Sequence, residues 1–438
     1  MHYTLGFSPN RTGGLVKYST DLMLEQVRRG DIVFALYPGM FGILKKETKI
    51  IKKNRIDGIN VYELFNPLPI ALRNGICSPK KFMTKAKIEV YTNFLKLVSP
   101  EIIHVHTLMG IHKEFFDAAR KLNIKVVFTT HDYFGLAPEP TFYFEGINYF
   151  KNNDALQWER ISTGAFPLWK LRIFQFPFYY KLKKILRFIN EKLLFLKSFK
   201  NKPEKKVVKE SLDIQKEFSE LKKYYLEIFH EIDFFHFNSS LSKKVYLSFL
   251  VPRRYRVLSI SNSNIHNFNL KKIKKNNGVL NIAYIGPYEN YKGFYDFIKF
   301  AKRTSLKSKF HVWGDDKKIV LPSKILNHGR FNSNQLKSLY MKTDVIVVPS
   351  LWMETFGFVT MEALSYGCCV FVSKNVGSKD LVKDEFIFKD IDELEFKINN
   401  IDRFIFKPQK TMSENASEIK DIYVNLIKNN FSIRSRYV

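Results

Sequence analysis

The carboxylates most in need of explanation are Glu354 and Glu362, eight residues apart in the largely apolar stretch from Pro349 to Gly367. A charge drawn out of water costs free energy unless a partner meets it. On one unbroken helix eight residues advance about 800°, which splays two side chains roughly 80° apart. The run Thr355, Phe356, Gly357 interrupts, so a helix is expected to begin near Gly357. Glu354 then stands in the loop before it and Glu362 inside it. The N–H groups of Phe356, Gly357 and Phe358 open that helix without partners, at its positive end. Carboxylates accept from sugar hydroxyls, and a helix N-terminus receives a diphosphate. A nucleoside diphosphate sugar carries both kinds of group.

Other residues carry weaker signals. The loop from Arg11 to Leu15 holds the pair Gly13 and Gly14 between a strand and a helix, where backbone approaches a ligand closely. A plain tight turn accounts for it equally well. The loop from Gly286 to Gly293 repeats the arrangement, and Lys292 adds a point charge suited to phosphate. His104, His106 and His131 fall at strand ends. A His-x-His pair invites a metal, yet no convincing third or fourth ligand accompanies it, so hydrogen-bonded histidines are the preferred reading and no metal is expected. His131, beside Thr130 and Asp132, is the best placed of the three to reach a cleft.

The elements that must position these groups alternate along the chain. Strands are expected at Tyr3–Phe7, Asp31–Leu36, Glu101–His106, Lys125–Thr130 and Ile232–Phe237, with a helix from about Leu15 to Arg29. A second α/β run has strands at Val279–Ile285, Lys309–Trp313, Ile325–His328, Asp344–Val348 and Cys369–Ser373. Such alternation argues for parallel sheets with ligand sites at their carboxyl edges. At 438 residues the chain exceeds one ordinary core. The expected division is residues 1–255, residues 256–408 and a helical tail over 409–438, with the first boundary at or just before the lysine-rich connector 270–278. Residues of about 140–230 form a basic, aromatic insertion without strand alternation. Within it Phe178 to Lys200 reads as an amphipathic helix, docked on the domain or lying on an anionic membrane.

Composition narrows the class. The formal charge of +29, from 71 basic against 42 acidic residues, favours anionic partners. Three cysteines without paired spacing speak against a disulfide framework. With no apolar run of about 18 residues, no membrane span is expected. The expected location is the cytoplasm, with peripheral contact to the inner membrane face as one reading of the basic segment.

The pattern Pro-Ser-x3-Glu-x-Phe-Gly-x4-Glu-Ala-x3-Gly at Pro349 to Gly367 resembles the signature of glycosyltransferase family 4. The Gly13–Gly14 loop, His106, Thr130 to Asp132, Asn238 to Ser240, the Gly286–Gly293 loop and Gly329–Arg330 agree in order. The resemblance covers most of the chain and leaves out residues of about 140–230 and those after 405. It implies a GT-B fold, two Rossmann-like domains with parallel sheets facing a central cleft. It also implies a retaining transfer of a sugar from a nucleoside diphosphate sugar, without a metal or other cofactor. By the same carry-over, Lys292 binds the diphosphate, Glu362 the ribose and Glu354 the sugar hydroxyls. Phe356, Gly357 and Phe358 offer N–H groups to sugar and phosphate. Gly286 opens the diphosphate loop, and Gly329, Arg330 and Phe331 border the base. Gly13, Gly14, His106 and Asp132 line the acceptor side, Gly14 also nearing the donor phosphate, and His131 faces the reacting sugar. Pro287 departs from the family, which often has Arg there, so one phosphate cation has to come from elsewhere. The leading expectation for the acceptor is a lipid-linked glycan, such as a polyprenyl-diphosphate-linked one, in surface polysaccharide synthesis. Alternatives are a soluble transferase acting on a small or protein acceptor, a non-catalytic nucleotide-sugar-binding protein, and a nucleic-acid-binding protein, although no nucleic acid partner is expected.

Overall fold

Short runs of Val, Ile and Phe that are apolar on both faces, such as Val345–Val348, make strands that need cover on both sides. The intervening amphipathic helices supply that cover. A computed structural model describes residues 1–42, 47–71, 74–176, 212–268, 279–317, 319–400 and 407–434. The expected helix at Phe178 to Lys200 and the connector from 270 to 278 lie outside the described residues.

The first sheet has eight strands in the spatial order Tyr255–Val257, Phe234–Phe237, Lys125–Thr129, Ile102–Val105, His2–Tyr3, Phe34–Pro38, Asn60–Phe65, Lys49–Lys52. All pair in parallel except the last, which runs antiparallel along Asn60–Phe65. The second sheet has six parallel strands in the order Ile325–Asn327, Ser308–Trp313, Leu280–Ile285, Val345–Val348, Cys369–Ser373, Ile387–Phe388. In it the chain order reverses between Leu280–Ile285 and Val345–Val348. The loops leaving these neighbours, 286–293 and 349–357, therefore share the switch point where open α/β sheets bind ligands.

Several expected elements shift or gain company. The first strand is only His2–Tyr3, because the chain turns out of the sheet at Gly6. Lys49–Lys52 and Asn60–Phe65 are strands that apolar alternation does not announce. The first is largely exposed, and the second buries the charged Glu63 against Lys53 at 2.6 Å. The segment read as strandless holds a hairpin, Tyr143–Phe144 with Ile147–Asn148, whose two-residue strands are too short to show a period.

The helix Met412–Arg434 packs on the first helix, Gly14–Arg28. Arg29 donates to Ser417 Oγ at 2.9 Å and to Ser413 Oγ at 2.8 Å, and Lys420 meets Asp31 at 3.3 Å. Tyr18 and Leu22 of the first helix, Ile419 and Ile422 of the last, and Phe356 and Met361 of the Pro349–Gly367 stretch share one buried cluster. Chain end, first helix and candidate site are thus packed as one layer.

Gly293 holds the two switch-point loops together. Its φ is +72°, and a Cβ there would stand 1.9 Å from the Pro349 carbonyl oxygen. Gly293→Ala is expected to cost about 2 kcal/mol or more of stability, read as a lower urea midpoint. An unchanged midpoint would show that the loops do not depend on this contact.

Candidate functional site

Gly357, with φ of +97°, is the N-cap of the helix Phe358–Ser365, so the helix does begin between the two glutamates. The N–H groups of Phe356, Gly357 and Phe358 have no backbone acceptor among the described residues. The loop before the helix is fixed by backbone bonds: the Glu354 N–H donates to the Asn375 carbonyl at 2.9 Å, and Gly377 donates to the Glu354 carbonyl at 2.8 Å. Within this frame Glu354 takes Lys292 Nζ on Oε1 at 2.6 Å and the Ser350 hydroxyl on Oε2 at 2.6 Å. Lys292 also lies over the Trp352 ring, 5.1 Å from its centre. A cation, a carboxylate and a helix start therefore meet at the switch point.

Glu362 has a separate set of partners. Its Oε1 accepts from Asn262 at 2.9 Å and Asn264 at 3.1 Å, and its Oε2 accepts from Tyr340 at 3.1 Å. Burial raises its pKa, and the bonds from Asn264 and Asn262 oppose that. Three of roughly four acceptor positions on a carboxylate are taken, so a ligand hydroxyl would add to this set or displace a member of it.

The remaining donor-side candidates lie along the same carboxyl edge. The Gly286 N–H donates to the Trp313 carbonyl at 2.9 Å, and the Pro287 carbonyl accepts from Tyr284 at 2.7 Å. Lys317 reaches this loop, bonded to Glu289 at 2.6 Å and to the Tyr288 carbonyl at 3.3 Å. Arg330 pairs with Asp316 at 2.9 Å, Gly329 accepts from Gly314 at 2.8 Å, and Phe331 stands edge-on to Trp313.

Side chains of the first sheet close the other side. Thr355 Oγ1 donates to the His131 carbonyl at 2.9 Å, and Ser239 Oγ donates to the Thr355 carbonyl at 2.5 Å. A Cβ on Gly14 would sit 3.3 Å from the Phe358 ring, so the Gly13–Gly14 turn abuts the start of the site helix. Burial pushes the Asp132 carboxyl up to about 7 although it accepts the Phe134 N–H at 2.9 Å, and burial likewise brings Glu139 to about 7.

The histidines form a hydrogen-bonded group larger than the pair seen in sequence. A third one, His2, joins His104 and His106 with ring nitrogens within 4.8 Å of one another. Each of their six nitrogens already has a protein partner, in two hydrogen-bond chains. Their directions follow from two oxygens that only accept, the Leu258 carbonyl and the Gln26 side-chain oxygen. The Leu258 oxygen only accepts, so His236 donates to it from Nε2 at 2.8 Å and accepts at Nδ1 from the Thr129 hydroxyl at 2.9 Å. Thr129 in turn accepts from His104 Nε2 at 2.6 Å, and His104 Nδ1 accepts from Tyr423 at 2.6 Å. The Gln26 oxygen accepts from His2 Nε2 at 2.7 Å, His2 Nδ1 accepts from His106 Nε2 at 3.1 Å, and His106 Nδ1 accepts from His131 Nε2 at 3.3 Å. Every imidazole carries its proton on Nε2. His106, expected on the acceptor side, is fully buried one hydrogen bond behind His131, because both of its nitrogens are bound within the chain. His2, Gln26 and Tyr423 escaped sequence reasoning, as did Asn262, Asn264 and Tyr340, because their partners lie 22 to 319 residues away along the chain.

Burial, then the charge of His236, brings His131 down to about 3, and burial brings His236 down to about 4. Unfolded histidines charge below about pH 6.5. Their folded values lie lower, so these residues withdraw stability as pH falls through that window. At pH 6 the 15N resonances of His131 are expected to report a neutral ring protonated on Nε2. A charged ring at that pH, or a proton on Nδ1, would break the chain as described.

Three comparisons bear on this geometry. Residues 266–419 match the family described as Glycosyl transferases group 1. An uncharacterized 42.6 kDa protein in the cps region of Klebsiella pneumoniae is 23% identical over 334 residues, covering 71% of each chain. Among solved structures, sucrose-phosphate synthase from Thermosynechococcus elongatus superposes with a TM-score of 0.51 at 12% identity, covering 99% of both chains. Anabaena HepE, in complex with UDP and glucose, superposes with a TM-score of 0.50 at 12% identity, covering 100% of this chain and 99% of that one. The two α/β sheets are those of a GT-B fold, and residues 266–419 resemble the glycosyl transferases group 1 family.

Proposed function

We propose that the protein transfers a sugar, with retention of anomeric configuration, from a nucleoside diphosphate sugar to an acceptor in polysaccharide synthesis. The observation that carries this reading is the meeting of Lys292, Glu354 and the Phe358 helix start at the switch point. The cps-region relative supports the polysaccharide setting, and the UDP and glucose bound by HepE support the donor class.

In this reading the diphosphate takes Lys292 from Glu354. The freed carboxylate accepts from the sugar hydroxyls, and Glu362 accepts from the ribose. Gly329, Arg330 and Phe331 border the base. As the bond from the anomeric carbon to the phosphate oxygen breaks, negative charge grows on the diphosphate. Lys292 and the N–H groups of Phe356, Gly357 and Phe358 face that charge, an arrangement worth several kcal/mol in other enzymes. The acceptor oxygen forms the new bond, and its proton passes to the leaving phosphate. His131, kept neutral, offers its Nδ1 lone pair to a sugar hydroxyl. Lys317 supplies the second phosphate cation in place of Pro287, moving from Glu289 when the donor binds.

Thermal-shift titration against UDP, GDP, ADP and dTDP sugars tests the donor class. At least one is expected to raise the melting temperature, and a panel without effect would remove the reading. With that donor, Lys292→Met is expected to lower transfer by about 100-fold or more. Proton NMR of the product is expected to show the donor's anomeric configuration, and an inverted product would contradict retention.

A further inference from the structure

A cavity of about 430 Å³ opens at the carboxyl ends of the strands His2–Tyr3 and Phe34–Pro38. Its walls include the apolar Phe7, Ile56 and Phe174 and the charged Arg11, Lys53 and Glu63. The volume falls within the range of small-molecule sites.

The charges in this cavity do not cancel. Glu63 is buried and fully engaged, with Lys53 at 2.6 Å, the Met40 N–H at 3.0 Å and the Tyr37 hydroxyl at 3.3 Å. Arg11 is partly buried, burial holds its pKa below the usual value, and no ion pair or side-chain hydrogen bond meets its guanidinium among the described residues. A partly desolvated cation without an anion costs stability that an anionic ligand would restore. The planar fork of arginine suits the oxygens of a phosphate. Arg11 also stands on the loop that continues into Gly13 and Gly14, where Gly14 abuts Phe358 of the donor loop. The loop that carries Arg11 thus joins the cavity wall to the start of the site helix.

Resting on the transferase reading, we propose that this cavity receives an acceptor in which a phosphate ester adjoins an apolar group. The phosphate sits on Arg11 with Lys53 beside it, and the apolar part lies against Phe7, Ile56 and Phe174. No contact of Arg11 with the donor is part of this assignment.

Calorimetric titration of the full chain with octyl phosphate, inorganic phosphate and octyl glucoside, each below micellar concentration, separates the two halves of the ligand. Octyl phosphate is expected to bind at least tenfold more tightly than either of the others. Arg11→Met is expected to weaken it at least tenfold, and Arg11→Lys, which keeps the charge but loses the fork, by less. Unchanged binding by Arg11→Met overturns the proposal, as does inorganic phosphate binding as tightly as octyl phosphate. Should Arg11→Met fail to fold, an Arg11→Lys protein that binds inorganic phosphate and octyl phosphate equally overturns it too. Nucleotide-sugar stabilisation of the same samples reads the donor site independently. Its absence beside intact octyl phosphate binding would contradict the transferase reading and leave the cavity's ligand class standing.

Discussion

The 2.6 Å ion pair between Lys292 and Glu354 is the contact on which the rest of the site depends. It joins two loops that leave adjacent strands at the switch point, and Gly293 lets them close to backbone distance. A part-buried pair of this kind resists losing one member, because the other is left as an uncompensated charge. A ligand that separates the two has to replace what each loses. A diphosphate answers the ammonium and sugar hydroxyls answer the carboxylate, so one donor molecule meets both demands. The pair holds the two loops together, and in the proposed reading it also selects the donor.

The first sheet reaches this pair through few but short contacts. Thr355 bonds to the His131 carbonyl, Ser239 bonds to Thr355, and Ser240 meets Asp380 at 2.5 Å. The last helix adds Tyr423, whose hydroxyl donates to His104 in the chain that runs to the Leu258 carbonyl. The Gln26 side-chain oxygen, which can only accept, sets through His2 and His106 which nitrogen of His131 carries the proton. The neutral state of that ring follows from burial, and its tautomer follows from the chain. Arg11 presents the opposite case, a cation in a cavity with no ion-pair partner among the described residues.

How much of this was legible depended on distance along the chain. Glu354, Gly357 and Glu362 lie in one continuous stretch, so helix geometry alone places the helix start between them. Lys292 is identifiable as a phosphate cation, but its ion pair is not, because Glu354 lies 62 residues away and only the strand order brings them together. The parallel sheets show in runs of apolar residues, whereas Asn60–Phe65 hides because a buried glutamate interrupts it. The histidines show the limit most clearly. His104 and His106 invite a metal in sequence, and only the fold supplies His2, Gln26 and Tyr423, which use their nitrogens otherwise. Asn262 and Asn264 carry no local sign of their task, since polar residues in a loop are ordinary until a carboxylate is seen opposite them.

The central claim is that the segment around the helix start holds a nucleoside diphosphate, with Glu362 on the ribose. Calorimetric titration of UDP, GDP and ADP into the wild-type and Glu362→Ala proteins tests it most directly. The account predicts saturable one-to-one binding of one of these nucleotides, weakened at least tenfold in a variant that still melts cooperatively. Absence of binding to all three, or equal affinity in the two proteins, would contradict it.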